Sequence, residues 1–278
     1  MFSKVLVGAD LSSAFEDALA CLGALRGLGT REVVLVHALG IRHLEEMKHA
    51  LEPLVEPHLA AQREAVERLG LHASLEIAPG IPASEIARIA RERSADLVVL
   101  GAESSRAREM LLGGVAIQLL HLSDIPVLVC GHRADPEAGP GSVEDAGTDL
   151  RGHVLYATNL SVEAERALGA LEQLVRAGAT RLTLVRVQGT PADRDRLEHI
   201  GKRLLLIGAD DVRVETPAGV PEKEIVRLAA VREVTLVVMG TSGRGSASTL
   251  YLGSVSHGVA RRSRAPVLLV PPDRLASR

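Results

Sequence analysis

The stretch Thr235-Leu-Val-Val-Met239-Gly240-Thr-Ser-Gly243-Arg244, followed nine residues after Gly243 by Gly253-Ser254-Val255-Ser256, decides how the rest of the chain reads. A short β-rich apolar run that stops on a glycine, loops out and re-enters a helical pattern has a shape suited to phosphate. Glycines let the main chain approach an anion closely, and the unpaired N–H groups that open a helix can bind it. Met239 closes the strand and Gly240 begins the loop. Ser254 is placed either to cap the helix or to donate its hydroxyl to a phosphate oxygen. Arg244 reads equally as a phosphate partner or as a solvated loop charge. The plain alternative for the whole stretch is a surface turn closed by an ordinary helix cap.

Outward from this stretch, strands alternate with helices. Residues 4–8 form a buried strand, and Ser13 with Glu16 fits a capping box for a helix that carries Phe15, Leu19, Leu22 and Leu25 on one face. Residues 32–37, 72–77, 96–100 and 126–130 are further strands. Residues 42–69 have a helical pattern that Pro53 and Pro57 should break or kink. Gly80-Ile81-Pro82 opens a helix through Arg93. Residues 131–150 lose all periodicity and turn rich in Gly, Pro and acids, as a linker does.

The pattern then starts again. Val154-Leu-Tyr-Ala157-Thr158-Asn159-Leu-Ser161 lies over Val5-Leu-Val-Gly-Ala-Asp10-Leu-Ser12 at an offset of 149, and 181–186 lies over the second strand at the same offset. Gly219-Val220-Pro221 matches Gly80-Ile81-Pro82 at 139, so ten residues are missing from the helical segment between. Gly240 matches Gly101 at 139, and the closing strand 265–270 matches 125–130 at 140. Matches along the whole pattern mark a duplication. The expected fold is α/β: two tandem doubly wound, Rossmann-like domains, each a five-stranded, mostly parallel sheet of order 3-2-1-4-5 with helices on both faces. The domains are set at 1–133 and 151–278, with 134–150 between them.

Composition narrows the function classes. With no Trp, two Phe and two Tyr, the cores must be aliphatic, and the stacking platforms of single-strand nucleic-acid binders are missing. A net charge of −3 offers no footprint for a duplex. No apolar run has the length of a membrane span, so neither nucleic acid nor membrane is expected as a partner. Cys21 and Cys130 make no disulfide framework, and the chain reads as a reduced, cytoplasmic protein. The ten histidines show no metal-ligand spacing, and neither a Walker loop nor a defensible Ser-His-Asp set is present. Catalysis has no candidate residue.

Doubly wound sheets bind ligands beyond the carboxyl ends of their strands, where the strand order reverses. In the second half that point gathers Ala157, Thr158, Asn159, Val187 and the 240–254 loop. An apolar slot, a polar amide and an anion cradle match the base, ribose and phosphates of a nucleotide.

These residues resemble the universal stress protein family, as a tandem member. The second half has the family's nucleotide motif intact: glycine, two residues, glycine, nine residues, glycine, serine, with Val255-Ser256 and the closing Pro-Val-Leu-Leu-Val strand. The resemblance implies ATP or another adenine nucleotide, with or without Mg2+. Gly240, Gly243, Gly253, Ser254 and Val255 would hold phosphates and ribose, and Thr158, Asn159 and Val187 would surround the adenosine. Arg244, Met239, Ala157 and Ser256 complete the candidate set. The family's first-strand aspartate is Asn159 here, which gives up a charge-assisted bond to a ribose hydroxyl.

The first half departs the other way. Asp10 is kept, but Gly101-Ala-Glu-Ser104, eight residues and Gly113-Gly114 lack the second glycine and the hydroxyl. Glu103 and Glu109 add negative charge where phosphate would sit, a repulsion on the order of a few kcal/mol in a partly enclosed site. This half should bind no triphosphate. The last strands would be exposed apolar edges unless paired. The resemblance implies that the two halves pair through them, and a homodimer of chains is left open. The function expected is a nucleotide-dependent stress or regulatory protein, with a nucleotide-free scaffold and a slow ATPase as alternatives.

Overall fold

A computed structural model describes residues 1–9, 14–39, 45–101, 114–131, 149–241 and 252–272, with the side chains of 45–52 outside the description. The chain divides into two compact units, Met1–Thr148 and Asp149–Arg278.

The first unit runs β1 (Lys4–Gly8), α1 (Ala14–Gly27), β2 (Glu32–Ala38), α2 (Glu45–Arg68), β3 (His72–Ala78), α3 (Pro82–Glu92), β4 (Leu97–Gly101), α4 (Gly114–Leu122) and β5 (Val127–Cys130). Its strands are parallel in the order β3-β2-β1-β4-β5. The second unit runs β6 (His153–Ala157), a 3₁₀ turn (Val162–Ala164), α5 (Glu165–Arg176), β7 (Arg181–Val185), α6 (Pro191–Leu206), β8 (Asp211–Glu215), α7 (Pro221–Val231), β9 (Leu236–Gly240), α8 (Ser254–Arg262) and β10 (Val267–Val270). Its order is β8-β7-β6-β9-β10, again parallel throughout. Both units thus have the doubly wound order expected from the sequence. Near-continuous Val and Leu runs suit strands covered on both faces, and β1, β4, β6 and β9 are buried along almost their whole length. In the first unit α1 packs with α2 and α3 with α4; in the second α7 packs with α8.

The duplication extends to backbone detail. Gly80 and Gly219 take φ of +143° and +126°, where a side chain is strained. Ile81 and Val220 are extended N-caps, each followed by Pro at the first helical position, where its missing N–H is no loss. The first strand of each unit starts against the fourth through a side chain: Lys4 N–H donates to Asp96 Oδ2 at 3.0 Å, His153 N–H to Thr235 Oγ1 at 2.9 Å. A different residue fills the same role.

Two local expectations are corrected. Of the two readings of residues 42–69, division into two helices falls: α2 runs as one helix with Pro53 and Pro57 inside it. The prolines are four apart, hence on one face, and both are exposed, so water can satisfy the carbonyls they leave unpaired. In α1, Leu19 is only half-buried, while the small residues Ala14, Ala18 and Cys21 join Phe15, Leu22 and Leu25 in the buried stripe. The Ser13 cap lies outside the described residues. Cys21 and Cys130 are both free and buried, and burial pushes the Cys130 thiol well up.

Candidate functional site

The strand order of the second unit reverses between β6 and β9. Ala157, the last residue of β6, is in register with Met239 on one side and Val185 on the other. Ala157, Met239 and Val187 are buried aliphatic groups at the carboxyl ends of neighbouring strands. Beyond Ala157 the ladder continues for one bond, Thr158 N–H to Val185 O at 3.0 Å, and then the chain turns.

Two bonds tie the start of α8 to the end of β9. Gly253 N–H donates to Thr241 O at 2.7 Å, and the buried Ser256 hydroxyl donates to Gly240 O at 2.8 Å. Thr241 N–H in turn joins Val270 O at 3.1 Å, so the strand end is fixed to β10 as well. Gly253 is the N-cap, extended at φ −63° and ψ 147°, and no side chain caps the helix. Ser254 is therefore the first helical residue rather than the cap, and it is exposed. The N–H groups of Ser254, Val255 and Ser256 have no intrahelical acceptor, as at any helix start. Ser256 is a tether: its hydroxyl is spent on Gly240, a role the sequence reading did not foresee.

The turn after β6 is built from its own polar side chains. Thr158 Oγ1 accepts from Leu160 N–H at 2.9 Å, and Asn159 Oδ1 accepts from Ser161 N–H at 3.0 Å. Both are local side-chain-to-backbone turns. They hold Leu160 at φ +58°, a rare conformation for a branched residue, and Gln188 after Val187 has φ +57°. The Tyr156 hydroxyl, its pKa raised by burial, donates to Ala164 O at 3.3 Å and anchors the 3₁₀ turn.

One arginine reaches this turn and a second lies just beyond β7. Arg196 of α6 donates Nη2 to Leu160 O at 3.3 Å, and Arg186, beyond β7, donates Nη1 to Val187 O at 3.2 Å. The Asp193 carboxylate accepts from Thr190 N–H and the Thr190 hydroxyl in the α6 capping box, and these bonds lower its pKa. In the sequence these arginines look like ordinary solvated charges; only topology brings residues 160 and 196 together. Gly243 and Arg244 lie outside the described residues. The remaining candidates fall on or just beyond the ends of β6, β7 and β9 and at the start of α8. Among the described residues no cluster of metal-binding side chains occurs, and no helix is long and apolar enough to cross a membrane.

The model of the universal stress protein family matches residues 1–131 and again residues 151–271. The chain belongs to the universal stress protein family. A universal stress protein of Mycolicibacterium smegmatis is 27% identical over 301 residues, covering 96% of this chain and 97% of its own. The crystal structure of a universal stress protein from Archaeoglobus fulgidus superposes with a TM-score of 0.78 at 24% identity, covering 98% of this chain and 97% of that one. A universal stress protein solved in complex with cAMP is 28% identical and covers 44% of this chain and 98% of that one, with a TM-score of 0.38. The chain is thus a tandem universal stress protein, with two family units in one polypeptide.

One motif glycine of the first unit has a packing reason. A Cβ on Gly101 would lie 1.8 Å from the Ala14 carbonyl oxygen. There the glycine exists because α1 crosses the end of β4 at close range, which requires no ligand.

Proposed function

We propose that the C-terminal unit binds an adenine nucleotide, ATP in the first instance, and that occupancy regulates this universal stress protein. The observation that carries the reading is the fixed start of α8. Two hydrogen bonds hold it on the end of β9, with the Ser254 hydroxyl exposed beside main-chain N–H groups that have no helical acceptor. Helix starts of this kind stabilise phosphate through both the N–H groups and the helix dipole. The aliphatic ends of β6, β7 and β9 supply an apolar surface for a base.

Ala157, Val187 and Met239 would line the base, and the Thr158–Asn159 turn would face the ribose. Gly240, Gly243, Arg244, Gly253, Ser254 and Val255 would surround the phosphates, with Ser256 fixing the helix that bears them. When bound, the triphosphate would bring its own cation, Mg2+, with no metal-binding cluster among the described residues to hold it. The role is binding and regulation in the cytoplasm rather than turnover.

Calorimetry of Mg-ATP with the full chain tests this. Gly243→Val is expected to abolish binding by filling the space of the phosphates. Ser254→Ala should weaken it by roughly 1 kcal/mol, the worth of one hydroxyl hydrogen bond. A flat titration of the wild-type chain, with no nucleotide released from freshly purified protein on denaturation, would leave the scaffold reading in its place.

A further inference from the structure

We infer that the ribose corner of the C-terminal cleft is built for a phosphorylated ribose. The ligand class is an adenine nucleotide with one phosphate at the 5′ position and a second, as a monoester, at the 2′ or 3′ hydroxyl. The inference rests on the nucleotide reading of the same cleft and specifies its ligand.

In doubly wound folds a carboxylate at a strand end accepts hydrogen bonds from free ribose hydroxyls, whereas a nearby arginine accommodates a ribose phosphate. This corner has the second chemistry. Residue 159 is an amide, and its Oδ1 already accepts from Ser161 N–H at 3.0 Å, which leaves the NH2 group as its main offer. Arg196 is held beside it by the bond from Nη2 to Leu160 O, the carbonyl of the next residue. Arg186 comes in from the adjacent strand end, and its Nε is buried with no partner among the described residues. The Ser161 hydroxyl, 8% exposed, is likewise buried and unpartnered.

Asp193 lies one turn before Arg196 on α6, and the pKa of its carboxylate is lowered chiefly by the bonds it accepts from Thr190. That carboxylate is occupied by Thr190 N–H at 2.9 Å and the Thr190 hydroxyl at 3.0 Å. With that carboxylate engaged, Arg196 spends one donor on Leu160 O and brings a positive charge with further donors to the corner. A phosphomonoester would accept from the guanidinium and amide donors together, in the charge-assisted geometry that arginine favours. A bare diol would leave most of those donors unanswered. In the first unit His37 stands at the position of Arg186, and its Nδ1 is engaged with Ala9 O at 2.8 Å.

The experiment is calorimetry on the full chain with AMP, ATP, adenosine 2′,5′-bisphosphate, adenosine 3′,5′-bisphosphate and cAMP at one ionic strength. At least one bisphosphate should bind about tenfold more tightly than AMP, the effect of one added charge-assisted contact. Arg196→Gln, an exposed position, should erase most of that advantage while changing AMP affinity by less than about threefold. Asn159→Asp, which keeps the acceptor for Ser161 N–H, should shrink it as well by restoring negative charge. Thermal unfolding of each variant checks that the unit is intact. Bisphosphates that bind no better than AMP, an advantage that survives both substitutions, or a gain confined to cAMP would overturn the inference and leave nucleotide binding standing. If no probe binds, both fall together.

Discussion

Gly80-Ile81-Pro82 and Gly219-Val220-Pro221 adopt the same turn, with N-cap angles of −73°, 121° and −79°, 121°. The carboxyl edges of the two sheets do not agree in this way. The second unit has a hydroxyl at the first position of α8, where the first unit has Gly114 at the start of α4. The second has Arg186 where the first has His37. A duplicated fold keeps the residues that shape the chain and is free to change those that meet a ligand. Identity between the halves therefore marks structure, and divergence at the strand ends marks function.

Substitutions can break that comparison, and the largest effect is expected at Gly101. Gly101→Ala places Cβ 1.8 Å from the Ala14 carbonyl oxygen, so α1 must move off the sheet, at about 3 kcal/mol or more. Denaturant unfolding should show the loss in the first unit alone. A neutral result would mean that the glycine is not kept by packing.

Next come Gly80→Ala and Gly219→Ala. Each would put Cβ within 2.8 Å and 2.9 Å of Glu85 and Glu224 Cγ, at a positive φ. Each should destabilise its own unit by roughly 1–3 kcal/mol. The two values should agree, since the two turns do; a clear disparity would show that the repeat is similar in form only.

The smallest effect concerns His153, which replaces Lys4 of the first unit. Burial lowers its pKa from the ordinary value of 6.5. Nδ1 faces Arg232 O at 2.9 Å and so carries the proton, and Nε2 accepts from the Thr183 hydroxyl at 2.9 Å. Below pH 6.5 the unfolded chain takes up a proton that the folded unit resists. Stability is full above that pH and declines as pH falls toward the lowered folded value. His153→Gln should flatten this part of the urea midpoint–pH curve; an unchanged slope would place its origin elsewhere.

Strands and their order were legible because parallel strands buried on both faces are continuous Val and Leu runs, and because each run recurred 139, 140 or 149 residues later. The prolines of α2 did not divide it, since their effect depends on whether the freed carbonyls face water, which the local pattern does not state. At the site, the glycine–serine spacing located the start of α8 but not the division of labour there. Ser254 and Ser256 look alike in sequence, yet one is exposed and the other is tied to Gly240. Arg196 stayed hidden for a different reason: a single arginine on a helix carries no signal until the fold brings it to the Leu160 carbonyl, next to Asn159.

The central claim is that only the C-terminal unit presents main-chain N–H groups to a nucleotide. Amide hydrogen exchange, followed by mass spectrometry with and without saturating Mg-ATP, tests it most directly. Slower exchange is expected in peptides covering 157–161, 185–188 and 240–258, with residues 101–118 unaffected. Equal protection at 101–118, or none at 240–258 while ATP binds elsewhere, would contradict the account.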